Sequence, residues 1–126
     1  PPRSTLFPYT TLFRSAQLEQ LDGFVKTKRM IAEAYGHFFK SIDIKFIGEP
    51  KDSKSNYWLN SILFENKEYR DSFLKYSNDN GVMTRPVWEL MNRLPMYRNS
   101  QCGNLSNAEY LSERLVNIPS GVIKQL

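Results

Sequence analysis

A chain of 126 residues holds one domain with a modest core, and its single cysteine, Cys102, excludes an intrachain disulfide framework and any multi-cysteine metal site. The 17 basic and 13 acidic residues give a formal charge of +4 with the signs interspersed; no Lys/Arg stripe interleaved with aromatics suggests a nucleic-acid surface. No apolar run approaches the roughly 18 residues of a membrane-spanning helix, and one reduced thiol fits a cytoplasmic setting.

The opening segment, Pro1–Ser15 (PPRSTLFPYTTLFRS), reads as something other than evolved protein. With suitable codons it back-translates to the common primer-adapter DNA ligated to fragments for short-read sequencing. It is set aside as one would a fusion scar, and is expected to be disordered or non-native. Excluding the first 15 of 126 residues leaves 111, and Arg3 and Arg14 go with them. The charge becomes 15 basic against 13 acidic, a net of +2, which weakens the nucleic-acid reading further. Ser15/Ala16 then marks a break in DNA, the gene is expected to begin further upstream, and any signal peptide would be lost with it.

Ala16–Phe39 has the period of an amphipathic helix, with Leu18, Leu21, Val25, Ile31, Tyr35 and Phe38 as its stripe. Gly23 and Gly36 weaken it by about 1 kcal/mol each relative to Ala. Ile42–Ile47 alternates as a strand, residues 48–55 form a polar loop, and Tyr57–Phe64 reads as a central strand covered on both faces. Asn66 caps a helix running to Asn80 with Tyr69, Phe73 and Tyr76 as its apolar face, and Gly81 ends it in the left-handed conformation. Val82–Thr84 reads as a short third strand, and Pro86 as the start of a helical turn through Leu94. Ser106-Asn-Ala-Glu109 is a capping box, stapled by Leu105 and Tyr110, for a last helix ending near Arg114. The order helix, strand, strand, helix, strand, helix gives an α/β or α+β sandwich: a small mixed sheet with flanking helices.

Four segments carry a resemblance: Gln17–Leu21 (QLEQL), Ser55–Asn60 (SNYWLN), Gly81–Tyr97 (GVMTRPVWELMNRLPMY) and Arg114–Ser120 (RLVNIPS). Together they resemble the C-terminal portion of the DegT/StrS-type sugar aminotransferases, over essentially all of Ala16–Ile123. The subgroup they are most similar to aminates UDP-linked 4-keto sugars on the way to legionaminic-acid-like or bacillosamine-like products. The resemblance implies that residues 16–126 form the C-terminal small domain of the fold-type-I aminotransferase fold. It also implies pyridoxal phosphate as cofactor, L-glutamate as amino donor, a nucleotide-linked 4-keto sugar as substrate, and a homodimer. The Schiff-base lysine and the residues that clasp the cofactor are expected in the missing upstream part. No lysine of this chain takes that role, and the fragment alone is expected to be inactive.

What this part can contribute is substrate recognition. Arg85 leads, because a planar guanidinium grips a phosphate or sugar oxygen through two parallel hydrogen bonds, which lysine cannot copy; the alternative is a surface ion pair. Trp88 offers an apolar wall to a sugar or base, against core packing. Asn56 and Tyr57, with Trp58, open a strand, where sites commonly lie, against sheet packing, the favoured reading for Trp58. Tyr97 can close a pocket, against a packed ring with its hydroxyl at the surface. The family often carries a histidine just after the turn at Gly81; here Val87-Trp88 stands there, and the only histidine, His37, reads as an ordinary helix residue. Cys102 has no nucleophile's surroundings, and Asp43, Glu49, Asp52 and the Lys28-Arg29 pair read as solvated charges. Two other classes stand beside the enzyme: a stand-alone, non-catalytic binding module and a basic nucleic-acid binder.

Overall fold

The computed structural model describes residues 7–122, with side chains from Leu12 onward. The readings placed on residues 1–6 and 123–126 lie outside it. Four helices and four strands follow in the order α1 (Phe7–Leu18), α2 (Leu21–Ser41), β1 (Lys45–Phe46), β2 (Asn60–Leu63), α3 (Lys67–Asp79), β3 (Arg85–Pro86), α4 (Ser106–Arg114) and β4 (Leu115–Ile118). Two single 3-10 turns, Met91–Arg93 and Pro95–Tyr97, lie between β3 and α4. The sheet order is β1-β2-β4-β3 and every pairing is antiparallel.

The core lies on one face of this sheet. Ile62 faces Val116 and Asn60 faces Ile118 across the β2–β4 ladder, so these four side chains share a side. All are buried, and Phe39 from α2 with Phe73 and Leu74 from α3 pack on the three apolar members. The opposite side, carrying Ser61, Leu63, Leu115 and Asn117, is only half-buried. The central position of β2 matches expectation; full cover of both its faces does not, because α2 and α3 both pack on one side.

The expected first helix is two. Glu19 N–H donates to the Ser15 carbonyl (3.0 Å), Gln20 N–H to that of Gln17 (3.2 Å), and the ladder restarts with Phe24 on Gln20. Gln20 Nε2 donates to the Ala16 carbonyl (3.0 Å), a side chain bonding to the last turn of the first helix. α1 crosses the Ser15/Ala16 junction, and every side chain from Leu12 to Gln20 is exposed. The buried face of α2 is also rotated from the expected stripe. Ala32 and Phe39 go inside, while Leu21 and Phe38 stay outside.

Several boundaries move for local reasons. Asp43 adopts a left-handed backbone (φ 57°) while Ile42 and Ile44 N–H both bond to the Phe39 carbonyl, so the helix end delays β1 to Lys45. Tyr57 is left-handed too (φ 47°), which starts β2 at Asn60 instead of residue 57. The Asn66 cap forms as expected, its Oδ1 accepting from Tyr69 N–H at 2.9 Å, and Gly81 sits at φ 77°. Yet α3 buries Arg70 and Ser77 and packs Phe73 inward, while Tyr69 and Tyr76 are exposed. The third strand is Arg85–Pro86, not residues 82–84; Pro86 lies on an edge strand, where its missing N–H breaks no ladder. In α4 the capping box does not form. Leu105 is the cap residue, Ser106 N–H bonds to Asn104 Oδ1 (2.9 Å), and Tyr110 packs over Arg114 (4.3 Å) instead of stapling Leu105. Leu115–Ile118, given no element from the sequence, is an internal strand.

Candidate functional site

The end of α3 positions Arg85. Gly81 turns the chain, Gly81 N–H bonding to the Asn78 carbonyl and Val82 N–H to that of Ser77. Buried Thr84 is then pinned by Ser77 Oγ (2.6 Å) and by Asn78 Nδ2, at 3.0 Å to its hydroxyl and 3.1 Å to its carbonyl. The next residue, Arg85, enters β3 opposite Asn117 on the side of the sheet away from the core. It has no carboxylate within ion-pair distance among the described residues; the closest polar contact of its guanidinium is the Met83 sulfur at 3.7 Å. The surface ion pair weighed against a binding role is therefore not formed.

Arg85 lines a cleft of about 440 Å³ together with Leu59, Met83, Pro86–Trp88 and Asn117–Pro119. Sequence reasoning missed Asn117, because Val116–Ser120 was not read as a strand. Its Oδ1 accepts from Ser61 Oγ (2.7 Å), which leaves the amide NH2 without an acceptor among the described residues. A guanidinium and an amide therefore offer donors on one wall of an otherwise apolar cleft. That combination suits an oxygen-rich, anionic ligand with a carbon face.

The other wall is aromatic. Trp88 stacks on Trp58 with ring centroids 6.3 Å apart and planes at 26°, and the two are 69% and 67% exposed. Core packing for Trp88 and sheet packing for Trp58 are both corrected: each lies outside a strand, and the left-handed Tyr57 turns Trp58 outward. Backbone strain of this kind costs about 1–3 kcal/mol and persists only where the surroundings fix it.

The remaining site residues fall elsewhere. Asn56 is exposed; its Oδ1 accepts from Trp58 N–H (3.0 Å), and it borders a separate hollow with Leu21, Lys28 and Trp58. Tyr57 is half-buried with the Arg29 guanidinium over its ring, 5.6 Å from the centroid. Tyr97, in the second 3-10 turn, lines a different cleft of about 380 Å³ beside Cys102. The fold thus brings Arg85 and Trp88 together, abuts residues 56–58 on them through the tryptophan stack, and keeps Tyr97 apart. His37 and Cys102 are exposed, and no cluster of three metal-ligating side chains occurs among the described residues.

Glu49 and Arg29 are not solvated charges. The Arg29 guanidinium grips the Glu49 carboxylate with both ends (2.8 and 3.2 Å) and donates to the Ser55 carbonyl (2.6 Å). Glu49 also accepts from Ser55 N–H. These bonds, the Arg29 contact first, hold the Glu49 carboxyl down at about 2, and Arg29 is raised above its ordinary value mainly by the same pair. Lys28 Nζ donates to the Ser120 carbonyl (2.6 Å) and reaches that of Trp58 (3.4 Å). A signal for this was available in the adjacent Lys28-Arg29, but nothing in the sequence says which loop they meet.

Residues 10–123 match the family model of the DegT/DnrJ/EryC1/StrS aminotransferases. The chain belongs to this family. It is 36% identical over 105 residues to a GDP-perosamine synthase of Escherichia coli O157:H7, and 32% over 110 residues to one of Vibrio cholerae. Each match covers 83% of this chain but only 28% and 29% of the relative, so the chain spans under a third of their length. Among solved structures, the aminotransferase TlmJ from Streptoalloteichus hindustanus aligns with a TM-score of 0.75 at 26% identity, over 84% of this chain and 29% of TlmJ. The sugar aminotransferase CalS13 from Micromonospora echinospora shares the fold, with a TM-score of 0.73 at 20% identity over 86% of this chain and 28% of its own. The family match begins at Thr10, inside the adapter-like segment.

Aminotransferases of this family generally use pyridoxal phosphate, which requires a lysine free to form a Schiff base and a cradle for the phosphate. Of the described lysines, Lys28 is held between the Trp58 and Ser120 carbonyls, and Lys75 is paired with Asp79 (2.6 Å). No chemical step is assigned to the cofactor in this chain.

Proposed function

We propose that this chain is the C-terminal small domain of a pyridoxal-phosphate-dependent aminotransferase. The enzyme moves an amino group from L-glutamate to the ketone of a nucleotide-linked 4-keto sugar, working as a cytoplasmic homodimer. On this reading residues 16–126 are the enzyme's own sequence, the Schiff-base lysine belongs to another part of the protein, and the chain alone is inactive. The cleft lined by β3, β4 and Trp88 recognises the nucleotide sugar. Arg85 grips a phosphate or sugar oxygen, Asn117 adds a second donor, and Trp88 presents a flat apolar wall, with Asn56 and Tyr57 shaping its support. Tyr97 stands apart and is assigned no contact with the substrate held at Arg85. No helix among the described residues is long and apolar enough to cross a membrane.

The observation that carries the reading is the unpaired Arg85 guanidinium beside an exposed tryptophan on a shared cleft. The relatives' names carry a GDP-linked sugar, and the legionaminic- and bacillosamine-type subgroup uses UDP-linked ones; both sugar classes belong in the test. In the complete enzyme, Arg85→Lys should raise KM for the nucleotide sugar roughly 10- to 100-fold, the worth of a charge-assisted hydrogen bond. KM for glutamate should stay unchanged. A wild-type KM for both sugar classes in that variant would overturn the assignment.

A further inference from the structure

The stacked tryptophans are both exposed, so core packing does not hold them; what holds Trp58 lies in the loop leading to β2. We propose that Arg29 and Glu49 are positioning residues for the cleft: their paired side chains fix the 49–58 loop in the shape that sets Trp58 against Trp88. The inference rests on the reading of that cleft given above.

The bonds that fix Ser55 and, through it, Tyr57 lead back to this pair. Glu49 takes Ser55 N–H, and Arg29 donates to the Ser55 carbonyl at 2.6 Å, so both backbone groups of Ser55 are fixed from α2 and its partner loop. Ser55 Oγ then accepts from Tyr57 N–H at 3.0 Å, and the Tyr57 ring lies beneath the same guanidinium. The left-handed backbone of Tyr57, uncommon for a bulky residue, sits at the end of this relay and aims the following residue outward. Asn56 Oδ1 and Lys28 Nζ complete the hold on the Trp58 backbone. An ordinary surface ion pair adds little to stability. Here the side chains are 28% and 23% exposed, bonded at both ends, and attached to backbone, so the pair acts on geometry.

Trp58 and Trp88 are the only two tryptophans, so an indole exciton couplet in circular dichroism reports on this stack alone. The wild-type chain should show the couplet, and Trp58→Phe or Trp88→Phe should abolish it. Glu49→Gln and Arg29→Lys should each lose most of its amplitude while the backbone signal of the helices is retained. Arg29→Lys keeps the charge on a helix surface and decides the matter if Glu49→Gln fails to fold. A wild-type chain without a couplet, or a wild-type couplet in either folded variant, overturns the inference. In the complete aminotransferase the same variants should raise KM for the nucleotide sugar roughly 10- to 100-fold, the scale of a displaced binding group, with kcat kept. A lost couplet with unaltered KM would overturn the role of the cleft in recognition and leave the loop geometry standing.

Discussion

Ile62 is the residue on which the sheet and both covering helices converge. It is 0% exposed, pairs across β2–β4 with Val116, and shares its cluster with Phe39 of α2 and Phe73 of α3. Ile62→Ala removes three buried carbons, about 2.4 kcal/mol at roughly 0.8 kcal/mol each. The cavity left between the sheet and the two helices packed on that face brings the loss to about 3–4 kcal/mol. For a domain of this size that lowers the thermal midpoint by roughly 10–25 °C. Urea unfolding followed by far-UV circular dichroism measures it directly. Tyr76→Ala is the matched control: Tyr76 belongs to the stripe expected from sequence, but it is 71% exposed. That change should stay within about 0.5 kcal/mol. A loss below about 1 kcal/mol for Ile62→Ala, or an equal loss for Tyr76→Ala, would refute the assigned core.

The Glu49 carboxyl is lowered from 4.5 to about 2, first by the Arg29 bond and then by Ser55 N–H. The folded state therefore keeps it charged where the unfolded chain protonates, so its stabilisation is complete above about 4.5 and lost as pH falls towards about 2. The gap in thermal midpoint between wild type and Glu49→Gln should shrink across that window; a constant gap would contradict the pairing. Gly81→Ala places a side chain at φ 77° and should cost about 1–2 kcal/mol. Gly81→Asn should cost less because asparagine tolerates the left-handed region. Equal stability of the Ala variant in urea would refute the turn.

The features legible in the sequence were those whose physics is local. Asn66 caps α3 because its side chain reaches an amide three residues on, and Gly81 ends it because only the sign of φ is at stake. The candidate pair Arg85 and Trp88 was legible from residue type, and the fold brings them to one cleft. Features that depend on a distant partner were not. β4 is four residues long and ends before Pro119, with its ladder partners 52 to 58 residues earlier, so nothing within it marks a strand. Asn117 was missed with it. The capping box failed by one residue, since Asn104 Oδ1 took the Ser106 amide.

The amino-acid sequence by itself determined the two ends of α3, which side chains can grip an anion, and which family the four motifs resemble. Only the tertiary structure decided which face each helix buries. Phe38 and Phe39, or Tyr69 and Arg70, are neighbours that a helical period of 3.6 serves almost equally, and the position of the sheet selects between them. It also decided that Arg29 meets Glu49 and that Trp58 meets Trp88, because those pairings arise from chain closure over tens of residues.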